Sequence, residues 1–428
     1  MKKQLFSREI FSNIVKSIEL GKVTFLLGSR QSGKTSLMRL ALDHFEGRDF
    51  KCFYLDIEDS RNIPIFESIE NVEAYLVSRQ VDLETDDILL AIDEFYASNN
   101  VIKIFKLICD HYPGVRVMAS GSSAVEARAT IQESLAGRMR IIDVYPLSFQ
   151  ESLVFKQHPY LETITSSDQN IPSLVIEKLK KDLEDLLIYG GYPKVSLLQS
   201  PDDRIDEIYD IYSTYIQKDI RALLGDEDII SFNKLVKLLA AQSGQLLNIA
   251  SMSKYLKISR KAVEKYLFIL EKTFVIHLLP PYSSNVKKTV VKIPKLFFVD
   301  TGMMNMAIEN FTAIQLRQNK GSIFETFILA ELLKYKKKYQ QLYFYRTSSG
   351  TEIDFILNDV KSGLIPMKVK YKDFDAPVVP KALLEFCKAE HIAKAYILNR
   401  NFSAQVQHNG TQFIFLPFSS TKSIFDHI

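Results

Sequence analysis

Residues 28–36 read GSRQSGKTS, the GxxxxGK[ST] spacing in which successive backbone N–H groups converge on a phosphate and a lysine reaches its outer oxygens. Gly28, Ser29, Arg30, Gln31, Ser32, Gly33, Lys34, Thr35 and Ser36 are therefore the candidates for binding a nucleotide such as ATP. Lys34 would reach the β- and γ-phosphates, and Thr35 would offer its hydroxyl to Mg²⁺, which bridges the same phosphates. A glycine-rich turn that matches by chance would lack the right flanks. Here Val23–Leu27 reads as a short buried strand and Ser36 to His44 continues with helical periodicity, so the loop has the strand before it and the helix after it that the motif requires.

A second chemical signal lies at the end of ILLAI, residues 88–92. A wholly apolar run reads as a strand buried on both faces, and it stops at Asp93 and Glu94. Two acids there are costly unless they have work to do, and ligands bind beyond the carboxyl ends of strands in open α/β sheets. Asp93 is expected to hold Mg²⁺ through water and Glu94 to orient and polarise the attacking water, in a catalytic set with Lys34. Val115 to Ala119 is a further strand running into Ser120, Gly121 and Ser122. Ser120 and Ser122 are candidate polar sensors of the γ-phosphate, although serine-rich turns are common.

Strands are expected at Val23–Leu27, Cys52–Ile57, Ile88–Ile92, Val115–Ala119 and Ile141–Val144, alternating with helices. That alternation indicates a mainly parallel α/β sheet with right-handed crossovers. Ahead of it Phe6, Ile10, Ile14 and Ile18 recur at helix spacing. The chain of 428 residues has room for two to four domains, and 46% hydrophobic with 25% charged residues is an ordinary globular balance. Three cysteines, far apart, argue for a reducing interior. The start, MKKQLFSREIF, lacks the apolar core of a signal peptide and no run reaches 18 apolar residues, so a cytoplasmic protein without a membrane span is expected.

Residues 246–300 read as a winged helix-turn-helix: Ile249 to Leu256, a turn at Lys257 to Ser259, then a helix from Arg260 with Val263, Tyr266, Leu267 and Leu270 on one face. Phe274 to Leu279 and Leu296 to Val299 would form the wing. The window holds ten cations (Lys254, Lys257, Arg260, Lys261, Lys265, Lys272, Lys287, Lys288, Lys292 and Lys295) against three acids, a local +7 in a chain whose net charge is +3. Such a concentration suggests contact with the phosphates of double-stranded DNA, with Arg260, Lys261 and Lys265 as candidates. A protein-contact module with solvated lysines is the other reading.

GSRQSGKTSL, ILLAIDE, ASGSS, SLAGR, YPLSFQE and YGGYP occur in this order, and the set resembles the prokaryotic AAA-type P-loop ATPases that carry a C-terminal winged helix and a restriction-nuclease-like domain. The resemblance implies the strand order 5-1-4-3-2. It also suggests that Arg138, just before the fifth strand, acts as an arginine finger at a neighbouring subunit's site in a homo-oligomer. A cation favourable to a helix C-terminus is the alternative for Arg138. In restriction-type nucleases the acids of D…ExK hold the metal, and here Glu325, Asp354, Lys368 and Lys370 fall at the corresponding places. Lys368 stands where the pattern has a glutamate, and an ammonium there repels a metal ion.

The expected division is a P-loop core at 1–145, a helical lid at 146–225, a winged helix at 226–310 and a nuclease-like α/β domain at 311–428. The function expected is Mg²⁺-dependent ATP hydrolysis coupled to a partner, DNA by preference, with the nuclease-like site damaged. The alternatives are a nucleotide-gated DNA-binding or signalling switch of very slow turnover, and an active ATP-regulated nuclease.

Overall fold

The computed structural model describes residues 5–97, 100–121, 131, 133–162, 171–224, 226–283, 293–347 and 350–426. The chain divides into two compact units, residues 1–146 and 147–428.

In the first unit β1 (Val23–Leu27), β2 (Lys51–Asp56), β3 (Ile88–Asp93), β4 (Val115–Gly121) and β5 (Met139–Asp143) form one sheet in the order β2-β3-β4-β1-β5, all pairs parallel. This is the order that the family resemblance implies. Every residue of β1 and of β3 is buried, as strands covered by helices on both faces must be. The register sets Asp56 opposite Asp93 and Gly121 opposite Leu27, which gathers the strands' carboxyl ends along one edge.

Helices α1 (Phe11–Glu19), α2 (Lys34–Glu46), α3 (Ile69–Val77) and α4 (Val101–His111) connect and flank the strands. Ile14 and Ile18 of α1 join Leu37, Met38, Ala41, Leu42 and Phe45 of α2 in a cluster with Leu26, Leu89 and Met118. The spacing of these residues on α2 makes one apolar stripe of a 3.6-residue helix. Thr24 on β1 donates to Ser17 Oγ of α1 at 2.7 Å, so two buried hydroxyls satisfy each other where helix meets sheet.

The second unit opens with helices α5 (Phe149–Phe155), α6 (Ser173–Tyr189), α7 (Pro193–Leu197) and α8 (Pro201–Thr214), followed by a π-helical stretch at Tyr215–Ile220. The turn Gly190–Pro193, to which the sequence assigns no chemistry, has a structural partner. Asp300 accepts from Gly191 N–H at 2.7 Å and from Met303 N–H at 3.0 Å, joining the end of α6 to the helix that begins at Thr301.

Helix α9 (Asp226–Ala241) precedes α10 (Ile249–Leu256) and α11 (Arg260–Lys272). Lys257 turns the chain between them with φ 56°, and Ser259 caps α11 by accepting from Ala262 N–H at 3.1 Å. β6 (Ile276–Leu279) and β7 (Lys295–Phe298) then pair antiparallel. Helices α12 (Thr301–Ala307) and α13 (Lys320–Tyr335) lead to a mixed six-stranded sheet in the order β12-β13-β11-β10-β9-β8, whose strands span Gln341–Arg346 (β8), Glu352–Asp359 (β9), Gly363–Val369 (β10), Lys394–Asn399 (β11), Ala404–His408 (β12) and Thr411–Pro417 (β13). Helix α14 (Lys381–Ala389) buries Leu383, Phe386 and Cys387 against Ile353, Ile397, Phe413 and Phe415 of this sheet.

Candidate functional site

β1 delivers the chain to Gly28, where a Cβ would overlap the carbonyl oxygen of Val144, so only glycine lets the loop leave the sheet this close to the end of β5. The loop ends at Gly33, whose φ of 99° allows it to stand as the left-handed N-cap of α2. Between them Lys34 Nζ donates to the carbonyls of Gly28 at 3.0 Å and Ser29 at 2.9 Å, a buried ammonium held by its own loop. The hydroxyls of Ser29 and Ser32 are buried in the same loop and have no hydrogen-bond partner. Orphaned donors beside a fixed ammonium are what a phosphate's oxygens would satisfy.

Across the strand ends, Asp93 is a meeting point of hydroxyls. Thr35 donates to its Oδ2 at 2.7 Å, Tyr54 donates to the same oxygen at 2.8 Å, and Ser120 donates to Oδ1. Asp93 is 4% exposed, and these three donors are neutral. The Thr35–Asp93 contact fits the pair to a divalent cation: the hydroxyl points its proton at the carboxylate and keeps its lone pairs for a metal. Ser120, expected as a sensor, has its hydroxyl turned to Asp93, and Ser122 lies outside the described residues.

Glu94 follows with φ 51°, a left-handed backbone that swings its side chain away from the course of β3. Burial holds its carboxyl above the usual glutamate range, opposed by the charges of Lys34 and Arg30. Arg30 also pairs with Glu58 at 3.5 Å. Gln31 takes φ 61° within the loop, and Ser36 lies in the first turn of α2. Arg138 is half-exposed ahead of β5 and pairs with Asp110 of α4 at 2.8 Å.

Tyr54 was not among the residues singled out from the sequence. Its signal lay in the strand order: once β2 borders β3 in register, the residue two before Asp56 reaches across to Asp93. Burial and the bond to Asp93 push its phenol well above the ordinary tyrosine range, so it stays a donor at physiological pH.

Residues 20–153 match the family model described as AAA domain. The first unit carries an AAA domain, with a phosphate-loop sequence at the end of β1 in a five-stranded parallel sheet. Residues 180–314 match a domain of unknown function, DUF8612, and residues 320–419 match another, DUF4143. The chain is similar to an uncharacterized protein of Methanocaldococcus jannaschii, 25% identical over 83% of this chain and 79% of that one. It is also similar to uncharacterized proteins of Mycobacterium tuberculosis (22% identical; 81% and 70%) and Haemophilus influenzae (24%; 78% and 80%). Among solved structures, the replication initiator DnaA bound to AMPPCP and single-stranded DNA aligns at 14% identity and TM-score 0.29, covering 62% of this chain and 86% of that one. PCH-2 of C. elegans aligns at 14% and 0.28, covering 62% and 66%.

In the second unit the four residues of the expected nuclease-like set divide. Lys368 Nζ of β10 pairs with Asp354 Oδ1 of β9 at 2.6 Å and donates to Glu352 O at 3.0 Å, while Val369 N–H donates to Asp354 Oδ2 at 2.7 Å. Both oxygens of Asp354 are thus bonded within the sheet. Glu325 of α13 is held up to about 7, first by burial and then by the charge of Asp354, against the pull of Lys295 and Lys368. The backbone N–H of Lys370 donates to Leu398 O at 2.9 Å on the neighbouring strand β11.

Arg260, Lys261 and Lys265 are exposed on α11, opposite its buried Val263, Tyr266, Leu267 and Leu270. Lys254 and Lys257 are exposed beside them, whereas Lys287, Lys288 and Lys292 lie outside the described residues. One cation of the basic window has to be withdrawn from it. Lys295 is 2% exposed, forms an ion pair with Glu352 and stands over the Phe344 ring at 5.5 Å, because β7 carries it into the unit's interior.

Proposed function

We propose that this chain is a Mg²⁺-dependent ATPase whose second unit binds double-stranded DNA through α11 and whose C-terminal sheet is a nuclease-like scaffold without a metal site. The observation that carries the ATPase reading is the Thr35–Asp93 hydrogen bond at 2.7 Å, which joins the phosphate loop to the acidic end of β3. In this reading the loop N–H groups and Lys34 bind the β- and γ-phosphates, Thr35 and Asp93 hold Mg²⁺, and Glu94 orients the attacking water. Mg²⁺, when bound, neutralises charge on the phosphoryl group as it leaves. Burial raises the Glu94 carboxyl, which favours its holding a proton drawn from that water, with Lys34 and Arg30 opposing the rise.

The DNA reading rests on the exposed row Arg260, Lys261 and Lys265 on a capped helix with an apolar inner face. It takes residues 146–225 as a helical lid, 226–310 as a winged helix and 311–428 as the nuclease-like domain. Arg138 is assigned to an arginine finger in trans; its ion pair with Asp110 is half-exposed and inexpensive to open. The inactivity assigned to the nuclease-like domain rests on Lys368 filling the place beside Asp354 where an acidic ligand is needed.

Steady-state ATP hydrolysis measured across a titration of duplex DNA, repeated at several salt concentrations, tests the whole. Turnover that rises with DNA is expected. Removing Arg260, Lys261 and Lys265 should lower the log–log salt slope by about 0.9 for each lost phosphate contact. An unchanged slope assigns this face to protein contacts, and nucleotide binding without turnover in every condition returns the protein to a switch. Mixing Arg138→Ala with Glu94→Gln protein should restore activity if sites are shared; no rescue in a mixture shown to co-assemble rejects the finger.

A further inference from the structure

Arg8 lies ahead of α1, outside every motif of the chain, and is 6% exposed. Its guanidinium donates to Ser32 O at 2.9 Å and to Tyr145 O at 3.0 Å, with Pro146 O at 3.5 Å. One buried, permanently charged fork thereby spans the phosphate loop and the end of the segment that leaves β5. The same two segments already touch beneath it, where Val144 N–H donates to Leu27 O at 2.7 Å and Gly28 abuts the Val144 carbonyl.

The bond to Ser32 has a directional consequence. In a trans peptide the C=O and the following N–H point in opposite directions, and the described residues contain no cis bond. Holding the Ser32 carbonyl toward Arg8 therefore turns the Gly33 N–H away from Arg8. Gly33 is the N-cap of α2, and its N–H is one of the donors with which a helix N-terminus binds an anion. Gly33 has no Cβ to restrain this peptide plane, and Arg8 supplies a hold on it from outside the loop.

We propose that Arg8 is a positioning residue of the nucleotide site: it orients the Ser32–Gly33 peptide for phosphate binding and ties that orientation to the Tyr145–Pro146 segment. The guanidinium suits this role because its planar set of donors can serve carbonyls from two segments at once, which an ammonium on a flexible stem does with less directional control. The inference rests on the nucleotide-binding reading of the loop but is separable from it.

The test uses the full chain with Arg8→Gln and Arg8→Lys. Affinity for a fluorescent ATP analogue, kcat and KM are measured well below the melting temperature, and amide exchange is followed with and without AMPPNP. In wild type, AMPPNP should slow exchange both at the start of α2 and across residues 141–147. In Arg8→Gln affinity should fall about 10-fold or more, on the scale of a misplaced binding group, and the nucleotide-dependent protection at 141–147 should disappear while that at α2 persists at saturating nucleotide. Arg8→Lys should recover part of the affinity. An Arg8→Gln protein with a lowered melting temperature but wild-type affinity, kcat and protection would make Arg8 a purely structural residue and overturn the proposal. Should Arg8→Gln not fold, the exchange pattern of wild type decides alone: protection at α2 without any at 141–147 rejects the tie. Failure of wild type to bind the analogue defeats the nucleotide reading instead.

Discussion

Each unit builds its candidate site around one lysine and one buried aspartate, and the two units use them to opposite ends. In the first, Lys34 is bonded to the carbonyls of its own loop, and Asp93 accepts from Thr35, Tyr54 and Ser120, all neutral hydroxyls. In the second, Lys368 is bonded to Asp354 at 2.6 Å, and the remaining oxygen accepts from Val369 N–H. A carboxylate among hydroxyls keeps its negative charge available for a cation, whereas one facing an ammonium has been neutralised from within the fold. In the proposed reading the two aspartates differ in the charge of the donors around them, since burial is similar: Asp93 is 4% and Asp354 2% exposed.

The sharpest break in this comparison is to remove each lysine. Lys34→Ala should weaken ATP binding by on the order of 100-fold or more. Glu94→Gln should keep that binding and lose hydrolysis by roughly 100-fold or more. Isothermal titration and single-turnover hydrolysis read the two separately; equal affinity in wild type and Lys34→Ala rejects the phosphate-loop assignment. Lys368→Met should do the reverse. It leaves Asp354 buried and unpaired, at a cost of about 3–5 kcal/mol to the second unit, while nucleotide affinity stays as it was. Lys368→Glu should bind Mn²⁺ near Asp354 and Glu325, and adding Asp354→Ala should abolish that binding. Cleavage of supercoiled DNA by wild type that vanishes in Asp354→Ala would show that a metal finds its ligands despite Lys368.

A change at Glu325 tests the charge balance around Lys368. Glu325 has its carboxyl raised from 4.5 to about 7, so between those values the folded chain holds a proton that the unfolded chain has released. Stability contributed here is greatest at low pH and declines as pH rises to about 7, beyond which the buried charge persists as a fixed penalty. Glu325→Gln should therefore be more stable than wild type at pH 8.5, by up to roughly 3 kcal/mol at about 1.4 kcal/mol per pH unit, and the advantage should shrink toward zero near pH 5. Melting curves at the two pH values check this, and a constant difference removes Glu325 from the network. The smallest expected effect is at Tyr54. Tyr54→Phe deletes one neutral donor to Asp93 and should raise the Mg²⁺ concentration for half-maximal ATPase by about fivefold, the scale of one hydrogen bond. No change in that concentration, with kcat also unaltered, means that Thr35 and Ser120 alone set the carboxylate.

The sequence by itself determined the parts of this protein that are local. GSRQSGKTS specifies a strand-loop-helix because glycine spacing, the apolar run before it and the helical period after it all act within a few residues. Asp93 and Glu94 were legible for the same reason: an abrupt change from a buried run to two acids needs no distant partner to be read. The helix pair Ile249–Leu256 and Arg260–Lys272 follows from its own apolar stripe and the Ser259 cap. What only the tertiary structure decided is which side chain meets which across strands. Tyr54 reaches Asp93 through the β2–β3 register, Ser120 turns to the same carboxylate through the adjacent β4, and Lys295 is drawn from a basic stretch into an ion pair with Glu352. Arg8 meets Ser32 and Tyr145 across separations of 24 and 137 residues. Periodicity along the chain carries no information about such separations; they are fixed by strand order and register, which depend on how whole hydrophobic faces pack together.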